Sequence, residues 1–451
     1  MCGIAGFIGD HARQNTRRMV ESLRHRGPDG EHIWEYGPVC LGHTHLRVTG
    51  DASQPVVSGG RAVVYNGEIY NYQRFLPGTS DTTALADAIL KNGVDSFLQA
   101  APSIDGEYAF ACYDGAKLAL ARDPVGIKPL FYGNNGEGFG FASEKKALMA
   151  VGIEHIRALA PGCIYVDGAE KKAIGLPQST GGISDINEAI ALLDGALHEA
   201  IRLRVHEDAA VAFSGGVDCA LVGAIAGLPL CTVGLAGSYD VRAAKNAAAL
   251  MGAAQRHHVY EVSEKDVADA VPDVIHAVES ADPVKISIAL PIFLLAREAR
   301  KSGFKVLLTG QGADELFGGY ARYVEGRRSG KLREMLQYDL AHIAENNLER
   351  DDAAAMAHGV EARVPYLDLD VIGVSQRIDP SLKVYLDGKD YIRKYILRIL
   401  SKKYLPAEIA NTPKKAIQYG TSVQKTLEKL AKSEGYKGTG DYFMSLYKVV
   451  F

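Results

Sequence analysis

Short apolar runs separated by turn residues characterise the first part of the chain. Runs such as Cys2–Ile8, Tyr108–Tyr113 and Phe139–Ala142 are bounded by Gly, Asp and Asn residues, which is typical of short strands. Helical stretches interrupt these runs near Asn15–Leu23 and Thr82–Lys91. The N-terminal part of the chain is therefore predicted to form an α+β domain.

The pattern changes after a Gly-, Pro- and Ser-rich stretch, Gly175–Gly182, which has no apolar periodicity and predicts a linker. Helices and strands then alternate: helix Ile186–Arg204, strand Ala209–Phe213, helix Cys219–Ala226, strand Leu230–Gly234, helix Val241–Met251, strand His257–Val262, two further helices and strand Phe304–Thr309. This alternation predicts a doubly wound parallel sheet of the α/β class. From Arg322 onward the pattern is helical.

Composition and charge exclude several classes of protein. The 451 residues are 47% hydrophobic, with 54 acidic against 50 basic residues and a net charge of −4, so we expect neither nucleic-acid nor membrane-surface binding. No apolar run reaches the ~18 residues that a membrane span needs. The N-terminus has no signal-peptide pattern, which predicts a cytoplasmic protein. The 6 cysteines form no CxxC pair and are expected to be thiols.

Cys2 directly follows the initiator methionine. Aminopeptidases remove methionine before a small residue, so we predict that the mature chain begins with Cys2. Its α-amine, with an unperturbed pKa of ~7.7–8.0, could then act as general base for its own thiol. The alternative is a buried, inert cysteine at the start of a strand.

The N-terminal part resembles the class II glutamine amidotransferase domain, which has the N-terminal nucleophile hydrolase fold. The matching blocks are Cys2–Gly6 (CGIAG), Arg24–Gly30 (RHRGPDG), Asn66–Asn71 (NGEIYN), Asp105–Phe110 (DGEYAF) and Arg122–Tyr132 (RDPVGIKPLFY). This resemblance implies that Cys2 attacks the glutamine side-chain amide. It also implies that Asn66 and Gly67 donate N–H groups to the oxyanion formed.

The same resemblance implies a binding site for glutamine. Glu68 and Asp81 are expected to hold the α-amine of glutamine. The family's arginine for the α-carboxylate falls on His45, which cannot form the bidentate pair of a guanidinium. Arg47, two residues further on, either substitutes for that arginine or is a solvent-facing strand residue.

A glycine-rich loop follows the predicted strand Ala209–Phe213 and is suited to wrap a phosphate at a helix N-terminus. The loop and the residue after it are Ser214, Gly215, Gly216, Val217, Asp218 and Cys219. It resembles the SGGxDS pyrophosphate loop of ATP pyrophosphatases, with Cys219 in place of the final serine. The alternative is a plain strand–helix turn.

A second loop, Thr309–Tyr320, resembles the SGEGADELFGGY signature of asparagine synthetases. Asp218 and Asp314 both follow predicted strands and are expected to bind Mg²⁺ with pyrophosphate, although Asp could instead cap a helix. The resemblance further implies roles in ATP binding for Val233, Gly234, Thr309 and Gly310, in phosphate neutralisation for Lys394, and in acceptor binding for Gln311, Asp314 and Glu315. Gln311 stands where the family has a glutamate.

These segments identify a resemblance to glutamine-hydrolysing asparagine synthetases from residue 2 to about residue 422. It implies a glutaminase domain over 2–175, a linker over 176–183, a synthetase domain over 184–430 and a tail over 431–451 without an assigned role. The implied reaction uses glutamine, ATP and Mg²⁺ to convert a carboxylate, foremost aspartate, into an amide through an acyl-adenylate, in a possible homodimer. The alternatives are another carboxylate acceptor or a degenerate, non-catalytic relative.

Overall fold

The computed structural model describes residues 1–48, 52–75, 80–94, 104–166, 168–177, 181–412 and 417–451. The chain forms two compact units. The first contains Met1–Leu176 and also Ala344–Gly359, and the second contains Pro177–Ile343 and Val360–Phe451. The segment Ala344–Gly359 thus belongs to the N-terminal unit, although it lies far along the chain. Part of the predicted linker, residues 178–180, lies outside the described residues.

The N-terminal unit contains two six-stranded antiparallel sheets. The first has the order β10-β8-β9-β1-β3-β2 and the second the order β12-β11-β7-β6-β5-β4. Their strands are β1 Gly3–Gly9, β2 Gly30–Tyr36, β3 Val39–His45, β4 Val56–Ser58, β5 Arg61–Ile69, β6 Gly106–Tyr113, β7 Leu118–Arg122, β8 Phe131–Asn135, β9 Gly138–Ala142, β10 Arg157–Ala158, β11 Cys163–Val166 and β12 Ala169–Lys172. The described residues of this unit form the α-helices α1 Ala12–Ser22, α2 Tyr72–Phe75, α3 Asp81–Asn92 and α4 Lys145–Met149, with α13 Glu349–Met356 from the later segment.

Alternation along the strands builds a four-layered sandwich. Successive side chains of a strand point to opposite faces of its sheet. On β1, Ile4 enters the core between the sheets, whereas Phe7 packs with residues of α1 on the outer face. On β6, Ala109 enters the same central core, whereas Phe110 packs with residues of α3. The layers are therefore α1, first sheet, second sheet and α3.

The C-terminal unit is built on a five-stranded parallel sheet of order β15-β14-β13-β16-β17. Its strands are β13 Ala209–Ala212, β14 Leu230–Leu235, β15 His257–Val262, β16 Val306–Leu308 and β17 Glu361–Arg363. The helices up to residue 341 are α5 Ile186–Arg204, α6 Val217–Ala226, α7 Tyr239–Leu250, α8 Glu264–Val278, α9 Pro283–Lys301, α10 Ala313–Phe317, α11 Arg322–Arg328 and α12 Leu332–Ala341. The predicted parallel sheet is confirmed.

The C-terminal region is largely helical, as predicted, but it also contains strands. Its helices are α14 Leu369–Arg377, α15 Pro380–Lys383, α16 Tyr395–Ser401, α17 Ala407–Ala410, α18 Ile417–Gly420, α19 Val423–Ser433 and α20 Thr439–Val450. Strand β17 completes the parallel sheet, and β18 Val384–Asp387 pairs with β19 Asp390–Arg393 in a hairpin. The expectation of an all-helical region from Arg322 was therefore wrong at these strands.

The tail folds onto the C-terminal unit. Phe443 of α20 is fully buried, and the ring of Phe451 stacks on His276 of α8 at 5.4 Å. The tail is therefore docked rather than frayed. In the described part of the chain, no helix is both long and apolar enough to cross a membrane.

Candidate active sites

Cys2 is held from both sides of its backbone. It directly precedes β1 and is 8% exposed. Its backbone nitrogen donates a hydrogen bond to Oδ1 of Asn66 at 2.9 Å. Nε of Arg26 donates to its carbonyl oxygen at 3.2 Å. The main chain around the thiol is therefore fixed by two residues that are distant in sequence.

Asn66 and Gly67 lie on β5 next to Cys2. Because Oδ1 of Asn66 accepts from Cys2, its Nδ2 remains as a donor, and this atom is buried without a hydrogen-bond partner among the described residues. Gly67 has φ 148°, and a Cβ there would lie 2.0 Å from the carbonyl oxygen of Glu107. Only glycine fits at this position. Cys2 and Gly67 line one cavity, and the oxyanion hole formed by Asn66 and Gly67 stays a prediction.

A cavity in the same unit adjoins Cys2. Its lining includes Met1, Cys2, His45, Gln54, Tyr65, Gly67, Glu68, Asp81 and Thr82. Asp81 accepts hydrogen bonds from the Tyr65 hydroxyl at 3.0 Å and from the backbone N–H groups of Ile69 and Thr82 at 3.1 and 2.6 Å. Burial raises the pKa of Asp81 from its ordinary value, against these hydrogen bonds.

His45, and not Arg47, lies at this cavity. Strand β3 ends at His45, so the strand alternation that would turn Arg47 to the same side does not extend to it. Arg47 is exposed and is not among the lining residues. The structure therefore does not bring this predicted glutamine-binding residue to the site.

Arg26 lies at the centre of a buried ion cluster that sequence reasoning missed. Its Nη1 donates to Glu144 at 2.8 Å and to Asp352 at 2.7 Å, and Arg26 itself is fully buried. Burial opposes the charge of Glu144, but His25, Lys146 and Arg26 outweigh burial and hold the pKa of Glu144 well below its ordinary value. Arg26 falls within the RHRGPDG block, but no local pattern indicates Asp352 as its partner.

His43 is a second group that the sequence did not single out. It lies on β3, is 0% exposed, and neither ring nitrogen has a hydrogen-bond partner among the described residues. Burial, reinforced by the nearby His45, holds the pKa of His43 well below its ordinary value. The imidazole is therefore neutral at physiological pH.

In the C-terminal unit, the thiol of Cys219 supports the glycine loop from within. The backbone N–H of Ser214 donates to its sulfur at 3.3 Å, and the thiol donates to the carbonyl oxygen of Gly216 at 3.3 Å. Gly215 has φ 79°, and a Cβ there would lie 2.8 Å from the backbone of Ala243. Cys219 thus takes part in the loop's own hydrogen bonding, a role that a serine hydroxyl could also fill.

Lys394 connects the two loops at the carboxyl ends of β13 and β16. Its Nζ lies 2.5 Å from Oδ2 of Asp218 and 2.6 Å from Oδ1 of Asp314, and Lys394 is 2% exposed. A Cβ on Gly319 would lie 1.7 Å from Asp314 and 2.3 Å from Lys394, so this glycine makes room for the cluster. The structure brings together three charged residues that the sequence assigned to one site.

The carboxylates of this cluster fit a divalent cation. Oδ1 of Asp218 is buried and has no hydrogen-bond partner in the described part of the chain. Mg²⁺ prefers a few carboxylate oxygens supplemented by phosphate and water oxygens. Asp218 and Asp314 are therefore suitable residues to hold Mg²⁺ together with a nucleotide.

The remaining predicted residues of the synthetase site lie on these loops or on β14. Val233 and Gly234 are buried at the carboxyl end of β14. Gly310 lies close to Asp218, because a Cβ on Gly310 would be 2.9 Å from the Cβ of Asp218. Gln311 is half-buried, and its backbone N–H donates a hydrogen bond to the Thr309 hydroxyl at 3.3 Å.

Glu315 is placed differently from the other predicted acceptor residues. It accepts from the Tyr320 hydroxyl at 2.6 Å and lines a separate cavity with Arg333, Ser375 and Lys383. That cavity includes neither Asp218 nor Asp314. The role of Glu315 in acceptor binding therefore stays a prediction.

Fold and sites together define a glutamine amidotransferase. An N-terminal nucleophile hydrolase sandwich with its cysteine at the start of β1 is followed by a parallel-sheet unit with an ATP-pyrophosphatase type of loop. Residues 1–160 match the family model of a glutamine amidotransferase domain, and residues 192–331 and 324–437 match that of asparagine synthase.

Relatives extend this match over nearly the whole chain. A protein of Methanocaldococcus jannaschii is 31% identical over 97% of this chain and 96% of its own. Glutamine-hydrolyzing asparagine synthetases of Sandersonia aurantiaca and Arabidopsis thaliana are each 30% identical, over 93% and 100% of this chain and 87% and 84% of their own. The chain belongs to the glutamine-hydrolysing asparagine synthetase family. It is an ATP-using ligase that hydrolyses glutamine for amide synthesis.

Proposed function

We propose that the chain converts L-aspartate into asparagine through an aspartyl-adenylate. The observation that carries the proposal is the Lys394 cluster, in which a cation contacts two carboxylates beside a phosphate-type glycine loop. Such a cluster suits a reaction that transfers and releases phosphoryl groups. Family membership supports the overall reaction, and the residue roles below are part of the proposal.

At the first site, the Cys2 thiolate attacks the side-chain carbonyl carbon of glutamine. The Nδ2 of Asn66 and the backbone N–H of Gly67 stabilise the oxyanion. The amide nitrogen takes up the proton that the thiol has released and leaves as ammonia, a thioester forms on Cys2, and water hydrolyses the thioester to glutamate and the free thiol. Glu68 and Asp81 bind the α-amine of glutamine, and His45 binds its α-carboxylate. Loss of Met1 frees the Cys2 amine as general base, and the intact mass of the purified chain tests this step.

At the second site, the acceptor carboxylate attacks the α-phosphorus of ATP and pyrophosphate leaves. Ser214–Cys219 wrap the phosphates, Val233 and Gly234 contact the nucleoside, and Thr309 and Gly310 complete the ATP site. Lys394 neutralises charge on the transferring phosphates. Asp218 and Asp314 hold Mg²⁺, which supplies positive charge to the pyrophosphate oxygens when bound. Ammonia then attacks the acyl carbon and AMP leaves, which gives the amide.

Gln311 favours a second candidate, an amidotransferase with another carboxylate acceptor. It is a neutral amide at a half-buried position of the loop that carries Asp314. An amide cannot balance the ammonium group of aspartate as a carboxylate can. An acceptor without that ammonium group would need no such balance.

Mass spectrometry of the products distinguishes these two candidates. The purified enzyme is incubated with ATP, Mg²⁺, glutamine and aspartate. We expect asparagine, glutamate, AMP and pyrophosphate in equal amounts. Glutamate without asparagine would contradict aspartate as acceptor. A panel of carboxylates, scored by pyrophosphate release, would then identify the acceptor.

A Cys2→Ala variant tests the division between the two sites. It is expected to abolish asparagine synthesis from glutamine but to retain synthesis from ammonium. The matched control is Cys40→Ala, because Cys40 is another buried thiol of the same unit that lies in its core. Loss of both activities in the Cys2 variant alone would refute the two-site arrangement.

The homodimer and the cytoplasmic location remain predictions from the sequence. Light scattering coupled to size-exclusion chromatography tests the first, and cell fractionation tests the second.

A further inference from the structure

Three potential metal ligands meet at the nucleophile. Sγ of Cys2 and one ring nitrogen each of His43 and His45 all lie within 4.8 Å of one another. Strands β1 and β3 pair antiparallel in a register that places Gly3 opposite Thr44 and Ile4 opposite His43. His43 and His45 are two positions apart on β3, so both side chains leave the same face of the sheet. The cluster is therefore a direct product of the strand register.

His43 provides an independent indication that a ligand binds here. A fully buried imidazole without any hydrogen-bond partner is costly, since a buried polar group normally finds one. His43 has none for either ring nitrogen among the described residues. Its ring makes an edge contact with that of His45, with centroids 5.6 Å apart. A bound ion would supply the missing partner.

The donor set selects the kind of ion. One thiolate and two imidazoles suit Zn²⁺ and similar transition-metal ions, whereas Mg²⁺ and Ca²⁺ prefer oxygen ligands. Tetrahedral Zn²⁺ with ordinary Zn–S and Zn–N bonds needs ligand atoms about 3.3–3.6 Å apart. The cluster, with ligand atoms within 4.8 Å, requires only a modest contraction. Water or, after loss of Met1, the amine of Cys2 itself would complete a tetrahedral ligand set.

We propose that Cys2, His43 and His45 form a binding site for Zn²⁺ or a similar transition-metal ion that reversibly blocks the glutaminase. The ion replaces the thiol proton, which is released to solvent, and the sulfur bound to metal no longer attacks glutamine. Because His45 also lines the cavity beside Cys2, glutamine and the ion compete. The binding site stands on the cluster alone, and only the inhibition rests on the proposed function.

Cobalt and zinc titrations test the site directly. The full-length enzyme, freed of metal with a chelator, is titrated with Co²⁺. A thiolate-to-cobalt charge-transfer band should appear at one equivalent and disappear when Zn²⁺ is added. His45→Arg, which introduces the residue that the family resemblance places here, should weaken binding by more than about tenfold. Cys2→Ala should abolish the band. The matched control is His155→Ala, because His155 is an exposed histidine of the same unit.

Absence of the band, or a band unchanged in both Cys2→Ala and His45→Arg, would overturn the site. Far-UV circular dichroism verifies that each variant is folded. In parallel, Zn²⁺ should raise the KM for glutamine in glutamate release and leave ammonium-dependent synthesis unaffected. If Zn²⁺ inhibits the His45→Arg variant as strongly as the unchanged enzyme, the proposed inhibition through this site is refuted. Binding without any glutaminase activity in the metal-free enzyme would instead count against the proposed function, so the two failures are distinguishable.

Discussion

In each unit, a buried cation described above lies between two carboxylates, and these two clusters differ in their exposure to solvent. In the N-terminal unit, Arg26 contacts Glu144 and Asp352, and these side chains are 0%, 4% and 7% exposed. In the C-terminal unit, Lys394 contacts Asp218 and Asp314, and the corresponding values are 3%, 23% and 14%. The first cluster is almost closed to solvent, whereas the carboxylates of the second are partly open.

The choice of cation matches this difference. The planar guanidinium of Arg26 holds its partners in a fixed geometry and reaches the Cys2 carbonyl as well. The ammonium of Lys394 is a point charge on a flexible stem, which can follow phosphate oxygens when they arrive. We therefore expect the Arg26 cluster to act as a brace, which stabilises the main chain around Cys2, and the Lys394 cluster to bind substrate.

The largest effect is expected from Lys394→Met. It removes the cation between Asp218 and Asp314 and should lower ATP-dependent pyrophosphate release by ~100-fold or more, as for loss of a transition-state stabilising group. Glutamate release from glutamine should persist. Pyrophosphate and glutamate assays on the same preparation check both. Equal loss of the two activities would mean that Lys394 is a brace like Arg26.

Asp352→Asn tests the brace. It leaves Arg26 with one acidic partner fewer, and breaking a buried pair should lower the free energy of unfolding by roughly 3 kcal/mol. The turnover of glutamine should fall with it, while ammonium-dependent synthesis is retained. The matched control is Asp87→Asn, whose exposed pair with Lys91 should change stability by only about 0.5 kcal/mol. Urea unfolding and both assays measure the outcome, and an effect no larger than the control's would contradict the bracing role.

Lys383 sharpens the comparison because it is a buried lysine without an ion pair within 4 Å in the described part of the chain. Burial lowers the pKa of Lys383 to about 7, below the ~10.4 expected in the unfolded chain. Between these values the unfolded chain binds the extra proton. The free energy of unfolding should therefore rise with pH across this window, by at most about 1.4 kcal/mol per unit, and fall as pH decreases towards 7.

Lys383→Met should remove this dependence. Urea unfolding of the two proteins at pH 7, 8 and 9 gives the difference, with the exposed Lys402→Met as control. A difference independent of pH would contradict the neutral state of Lys383.

The smallest effect is expected at Cys219. Cys219→Ser keeps a donor and acceptor for Ser214 and Gly216, so the KM for ATP should change little. Cys219→Ala removes the hydrogen bonds of the sulfur with Ser214 and Gly216, at about 1 kcal/mol for a typical one, and should raise that KM several-fold. Steady-state kinetics with varied ATP checks this. Equal behaviour of the two variants would show that the thiol does not support the loop.

Local patterns predicted much of the fold. The helix Ile186–Arg204 and the strand His257–Val262 were confirmed to the residue. Their signals are strong, since the helix has a capping aspartate and the strand precedes a Ser263 capping box. Strand β17 was missed because it has only three residues, two of them charged, and no alternation to detect.

The candidate sites were predicted where one loop carries the chemistry. The loops 214–219 and 309–315 can be recognised as motifs because their residues are adjacent in sequence. The Arg26 cluster was not predicted, since Arg26 and Asp352 are 326 positions apart in the sequence. His43 was overlooked because burial without a hydrogen-bond partner is a property of the folded chain.

The segment Ala344–Gly359 has a consequence for how such an enzyme can be divided. The N-terminal unit includes this segment, which comes much later in the sequence. Dividing the chain at a single position therefore does not yield a complete N-terminal unit. A gene fragment ending at residue 176 would encode Arg26 and Glu144 but not Asp352. Such a fragment would keep the Arg26–Glu144 pair but lose the second carboxylate of the cluster, and the remaining chain would carry Asp352 without Arg26.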